Sequence, residues 1–297
     1  MSKLETGNQV IDYESFGSDD NPAIILLRGM GSQRIRWHPD LVAALTEAGL
    51  RVVTMDNRDV GGSSYFEQHE VPSIGEFMMM SMQGASFEAP YLLRDMAGDV
   101  IALMDGLGIG KALLMGMSMG GYIGQLVAAT WPDRVAGLIS FGSSHLPPNM
   151  QNIAPDVMAV MMAGPKGTDE ASLVEYELDN CRAQAGSKYA IDDDHYRAVL
   201  FEERKRGISV GGETRQIMAI LATGDRTELC RGLEVPTLIV HGSADPLVQV
   251  DEARAMAALI DGSEYLEIEG GGHDVTGALV PMIAPTIVDF GKRALAR

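Results

Sequence analysis

Gly116-Met117-Ser118-Met119-Gly120 ends an apolar run and opens a helical pattern. A serine on a sharp strand-to-helix turn has its hydroxyl lifted clear of the sheet, where it can attack a carbonyl. The turn crowds the positions two before and two after the serine, and glycine at 116 and 120 removes both obstacles. An attacking hydroxyl needs a base, and the base needs a third group to orient it. Two later residues have the right types: Asp245, just past an apolar stretch, and His273, behind three glycines that let a loop bend sharply. The order Ser, Asp, His, each at the carboxyl end of a strand, suits acyl transfer above a parallel sheet. Backbone N–H groups would hold the oxyanion, one from Met119 where the helix starts and one from Met30, with Gly29 behind it.

Those residues need a scaffold. Apolar, β-branched stretches at 10–16, 23–27, 51–55, 111–115, 135–141, 235–240 and 264–268 read as strands. Helical spacing falls at 39–48, 94–107, 120–130, 251–260 and 281–295. The alternation predicts an α/β fold, a mostly parallel sheet with helices on both faces. Residues 65–93 are Met-rich and carry no clear period. From 146 to 230 only helical patterns occur, at 153–163, 169–185, 194–205 and 213–223. The expected division is therefore a core of residues 1–145 and 231–297 with a helical cap, 146–230, inserted as a lid.

The chain of 297 residues carries 41 acidic against 23 basic side chains, a net charge of −18, with 46% hydrophobic residues. Such a field repels phosphate backbones and anionic lipid, so neither nucleic acid nor a membrane is an expected partner. A small neutral or weakly polar molecule is. The first residues hold no apolar leader, and the apolar runs are too short to span a bilayer. With two cysteines, Cys181 and Cys230, and no sign of pairing, the expected location is the reducing cytoplasm.

Other patterns are set aside. Gly106-Leu-Gly-Ile-Gly-Lys111 has the wrong spacing for a phosphate loop and reads as a helix-ending turn. Asp192-Asp-Asp-His195 lacks ligand spacing and reads as a helix cap, so no metal and no cofactor is expected. His145 follows a strand end and is expected at the pocket edge. Met78 to Met82 and Met158, Met161 and Met162 fall where a lid and its support should lie. Flexible thioethers there predict an adaptable apolar wall over Ser118, with Met161 and Met162 touching substrate.

The elbow, the acid in Val235-Pro-Thr-Leu-Ile-Val-His-Gly-Ser-Ala-Asp245-Pro246 and the histidine in Gly270-Gly-Gly-His273 resemble the α/β-hydrolase family. The similarity covers residues 10–145 and 231–295. Asp56-x-Arg58-Asp59-x-Gly61-x-Ser63 is similar to the aclacinomycin methylesterase branch, although many relatives have glycine where Asp59 stands. The histidine usual before the oxyanion glycine is Arg28 here. The resemblance implies a serine esterase acting through an acyl-enzyme on an apolar or bulky small-molecule ester. Relatives with the same three residues act as C–C bond hydrolases, lactonases or cofactor-free perhydrolases, and a non-catalytic ligand receptor on this scaffold is the remaining alternative.

Overall fold

A computed structural model describes residues 2–7, 9–186 and 188–297. The chain begins with β1 (Ser2–Thr6) and β2 (Gln9–Phe16), then β3 (Ala23–Leu27), α1 (Pro39–Glu47) and β4 (Arg51–Met55). It continues through α2 (Ile74–Met82), α3 (Leu93–Gly106), β5 (Ala112–Met117), α4 (Met119–Thr130) and β6 (Val135–Phe141). Five helices follow: α5 (Pro155–Ala163), α6 (Glu170–Ala185), α7 (Asp193–Arg206), α8 (Gly212–Thr223) and α9 (Thr227–Arg231). The chain closes with β7 (Thr237–Gly242), α10 (Val250–Leu259), β8 (Glu264–Ile268) and α11 (Val280–Leu295).

The strands form one eight-stranded sheet in the order β1-β2-β4-β3-β5-β6-β7-β8. β1 and β2 are antiparallel, and every pairing from β4 to β8 is parallel. Side chains alternate across a strand, so an all-apolar strand feeds two cores at once. Ile25 and Leu27 join Leu114 and Val53 under α3, α4, α8 and α10, whereas Ile24 and Leu26 join Leu113 and Val52 under α1 and α11. A third cluster, Val174, Leu178, Cys181, Tyr196 and Leu200, belongs to α6 and α7 alone. Of the segment 146–230, then, α8 and α9 share the sheet's core, through Ile217, Ile220 and Cys230, while α6 and α7 have their own. Cys181 and Cys230 are free and buried, and burial pushes both thiols up to about 11.

Three elements escape the sequence pattern, β1, α2 and the five-residue α9. β1 has a single apolar side chain, Leu4, and exists because its backbone pairs with β2. α2 lies in the Met-rich stretch, and its start has a local signal: Ser73 and Glu76 form a capping box, each side chain bonding the other's backbone N–H. β7 begins at Thr237 rather than 235, since Pro236 has no N–H to donate and offers only its carbonyl, to Leu138 N–H at 2.8 Å. Asp192 caps α7 by accepting from the N–H groups of Asp194 and His195. The glycine-rich turn at 106–110 ends α3.

Candidate active site

Ser118 joins β5 to α4 with φ +53° and ψ −120°. Only one other non-glycine residue among those described has positive φ, Asp59 at +67°, and both line the same cavity. Such backbone costs on the order of 1–3 kcal/mol and persists where neighbours hold it. Here the Ser118 N–H donates to Phe141 O at 2.9 Å, and its carbonyl accepts from Gly121 N–H and the Ser143 hydroxyl. A Cβ on Gly116 would lie 2.1 Å from Gly120 O, and one on Gly120 would lie 2.1 Å from Leu27 O. The G-x-S-x-G spacing is thus a steric requirement of this turn. The serine is half-buried, and its hydroxyl faces the cavity.

Asp245 follows β7. Its Oδ1 accepts from the N–H groups of Leu247 and Val248, both at 2.9 Å, and its Oδ2 lies 2.7 Å from His273 Nδ1. An ionised carboxylate only accepts, so Nδ1 carries the proton and Nε2 is left as the basic nitrogen. Burial opposes the charge on either group. The pairing outweighs it: His273 is held above the ordinary imidazole value by Asp245, and Asp245 below the ordinary carboxylate value by His273. The histidine loop is pinned from outside the sheet, because His273 N–H donates to Gln184 O of α6 at 2.7 Å. Gly272 permits that approach, since a Cβ there would sit 2.3 Å from the same carbonyl. Among the described residues no hydrogen bond joins the Ser118 hydroxyl to the imidazole. Both groups line one cavity, and such bonds commonly tighten only when substrate is bound.

Met119 is the first residue of α4, so its N–H has no acceptor within the helix. Met30 lies in the turn closed by Ser32 N–H donating to Gly29 O, and Gly29 would bring a Cβ to 3.2 Å from that of Ser118. Gln216 of α8 fixes the next peptide by accepting Gly31 N–H at 2.7 Å. Asn57 holds the preceding one by donating to Arg28 O.

The cavity is about 1200 Å³ and takes in Gly29, Met30, Ser118, His273, Met161 and Met162. Met78, Met150 and Met158 extend its apolar side, and an adjoining groove of about 560 Å³ shares Met78, Met150 and Ile217. His145 does not line it. That residue is drawn into a separate polar knot, where its carbonyl accepts from Arg226 N–H while the Arg226 guanidinium bonds Gln125 and the Ser144 and Leu146 carbonyls.

Two residues that stand out in the sequence as departures from the family pattern, Asp59 and Arg28, have partners near the site that the sequence does not name. Asp59 binds Arg215 of α8 through both carboxylate oxygens at 2.9 Å and also accepts from Tyr91, Ser209 and Phe66 N–H. This explains an aspartate at a left-handed position usual for glycine: five donors hold its side chain. Arg28 Nη2 donates to Asp274, the neighbour of His273, at 3.1 Å.

A family model described as the alpha/beta hydrolase fold matches residues 22–276. The rhodomycin D methylesterase DnrP of Streptomyces peucetius is 26% identical over 99% of each chain. A putative carbamate hydrolase, RutD of Variovorax paradoxus, is 27% identical over 96% of this chain and 97% of its own. Among solved structures, the enol-lactonase from Burkholderia xenovorans LB400 superposes with a TM-score of 0.71 at 23% identity, covering 97% of this chain and 99% of that one. Strand order, elbow and family match agree, and the chain belongs to the alpha/beta hydrolase fold family.

Proposed function

We propose that this protein is a serine hydrolase that cleaves carboxylic esters of an apolar or bulky small molecule through an acyl-enzyme. The observation that carries the reading is the 2.7 Å contact between His273 Nδ1 and Asp245, opening on the same cavity as the strained Ser118 elbow. Ser118 attacks the ester carbonyl as His273 Nε2 takes its proton. Asp245 keeps the imidazole in the required tautomer and stabilises the imidazolium. The N–H groups of Met119 and Met30 receive the oxyanion. His273 then protonates the leaving alcohol and activates the water that releases the acid.

Helices α5 to α7 act as the cap, and Met158, Met161 and Met162 supply the apolar wall over the nucleophile. The relatives named for methyl ester and carbamate hydrolysis support an oxygen- or nitrogen-linked acyl substrate. Assay of Ser118→Ala against methyl esters, a carbamate, lactones and vinylogous diketones tests the assignment and its scope. The expected result is a loss of about 10⁴–10⁶-fold in kcat with an unchanged circular dichroism spectrum. Ester turnover near the wild-type rate would overturn it, and turnover confined to the diketones would move the reading to C–C hydrolysis.

A further inference from the structure

The residue before the oxyanion glycine, Arg28, borders the cavity together with Asp274, and its guanidinium is bonded to the protein rather than to solvent. It is 2% exposed, stacks 4.9 Å from the Trp37 ring centroid, donates from Nε to the Ser32 hydroxyl and pairs through Nη2 with Asp274. Asp274 is equally enclosed. Its Oδ1 also accepts from Val275 N–H at 2.8 Å, and its Oδ2 accepts from the Tyr196 hydroxyl of α7 at 2.9 Å. Three separate segments therefore converge on one carboxylate next to His273: the loop after β3, the helix α7 and the histidine loop itself.

We infer that Arg28 is a positioning residue for His273, acting through Asp274: it offsets the charge of that carboxylate so that Asp245 dominates the protonation of the imidazole, while Tyr196 holds the same carboxylate in place from α7.

A buried carboxylate adjacent to an imidazole favours the imidazolium, and a cation bonded to that carboxylate removes the bias. The directions agree. Burial works against a charged Asp274, but Arg28 and Tyr196 hold it below the ordinary carboxylate range. Asp274 acts on His273 to retain its proton and Arg28 acts to release it. The ionisable groups that bear on His273 are Asp245 after β7, bonded to Nδ1, and, through space, Asp274 in its own loop and Arg28 after β3. His241 lies behind Asp245, and Tyr196, Arg36 and Cys181 lie around Asp274.

The inference rests on the serine-hydrolase reading only in its kinetic arm. The full-length protein, labelled at its histidine side chains, is titrated by NMR without substrate, the His273 resonance being assigned with His273→Asn. In parallel kcat/KM is followed against pH. Arg28→Met, which leaves Asp274 unpaired, is expected to raise the His273 midpoint by about 0.5–1 pH unit, and Asp274→Asn to lower it by a similar amount. The neutral pair Arg28→Met with Asp274→Asn should return close to wild type, and Arg28→Lys, which keeps the charge, should stay there. Should Arg28→Met fail to fold, Tyr196→Phe is expected to shift the midpoint upward by a smaller step.

A loss of stability alone cannot produce opposite shifts that cancel in the double variant. Single variants that move the midpoint in the same direction, or not at all, overturn the inference, as does a double variant as displaced as either single. NMR midpoints that shift as expected while the kinetic limb stays fixed would uphold the role of Arg28 and instead overturn His273 as the kinetic base.

Discussion

The cavity has two walls built from different chemistry. On the side of α7 and α8, contacts are buried and directional: Arg206 binds Asp12 and Asp56, Arg36 binds Glu203, and Arg215 binds Asp59. On the side of α2 and α5 the wall is methionine, with Met78, Met158 and Met161 half-buried and Met162 exposed, and Met82 lines the adjoining groove. α5 is tied by few polar contacts, Ala154 N–H to Pro246 O and the Tyr176 hydroxyl to Met161 O. The difference has a physical logic. Ion pairs and backbone bonds accept one geometry, which suits the side whose Gln216 fixes the loop after β3 by accepting Gly31 N–H. Thioethers have many rotamers of similar energy, so this wall can adapt its shape.

The sharpest way to break this contrast is at Arg215, whose side chain is 2% exposed. Arg215→Met leaves the fully buried Asp59 carboxylate without its cation, for an expected destabilisation of about 3–5 kcal/mol, read by urea or thermal unfolding. A loss below about 1 kcal/mol would show that this wall is not held by its ion pairs. A middle-sized effect is expected with pH. Because Asp245 holds the His273 imidazole above its ordinary value, the basic form appears only at higher pH, so the acid limb of kcat/KM should have its midpoint above about 6.5. A limb at or below that value would contradict the pairing. The smallest effect falls on the soft wall. Met161→Ala with Met162→Ala should change stability by no more than about 1 kcal/mol while altering the ratio of kcat/KM for long and short acyl esters several-fold. Unchanged selectivity would remove these methionines from the substrate surface.

Much of the scaffold was legible along the chain, because the central parallel strands are continuous apolar runs closed by glycine or a polar turn. β3, β5 and β6 are buried along their whole length and need no partner to be recognised. β1 was not legible, since one leucine among polar residues becomes a strand only through its neighbour. α2 had a capping signal at Ser73 and Glu76, but its four methionines and one phenylalanine have no single apolar face to mark it. His145 is a converse case: a histidine after a strand end looks available, yet it does not line the cavity, and Arg226 bonds the carbonyls of its segment.

The spacing of Gly116, Ser118 and Gly120, the position of Asp245 after an apolar run and that of His273 after three glycines are properties of the chain itself, because local sterics and strand periodicity act over a few residues. Arg28 facing Asp274, Arg215 facing Asp59 and Arg206 facing Asp12 are not. These partners lie 246, 156 and 194 residues apart, and nothing in either local pattern names the other. Only the closed fold decides which charges are removed from water together, and a buried charge takes whatever partner the packing brings within reach.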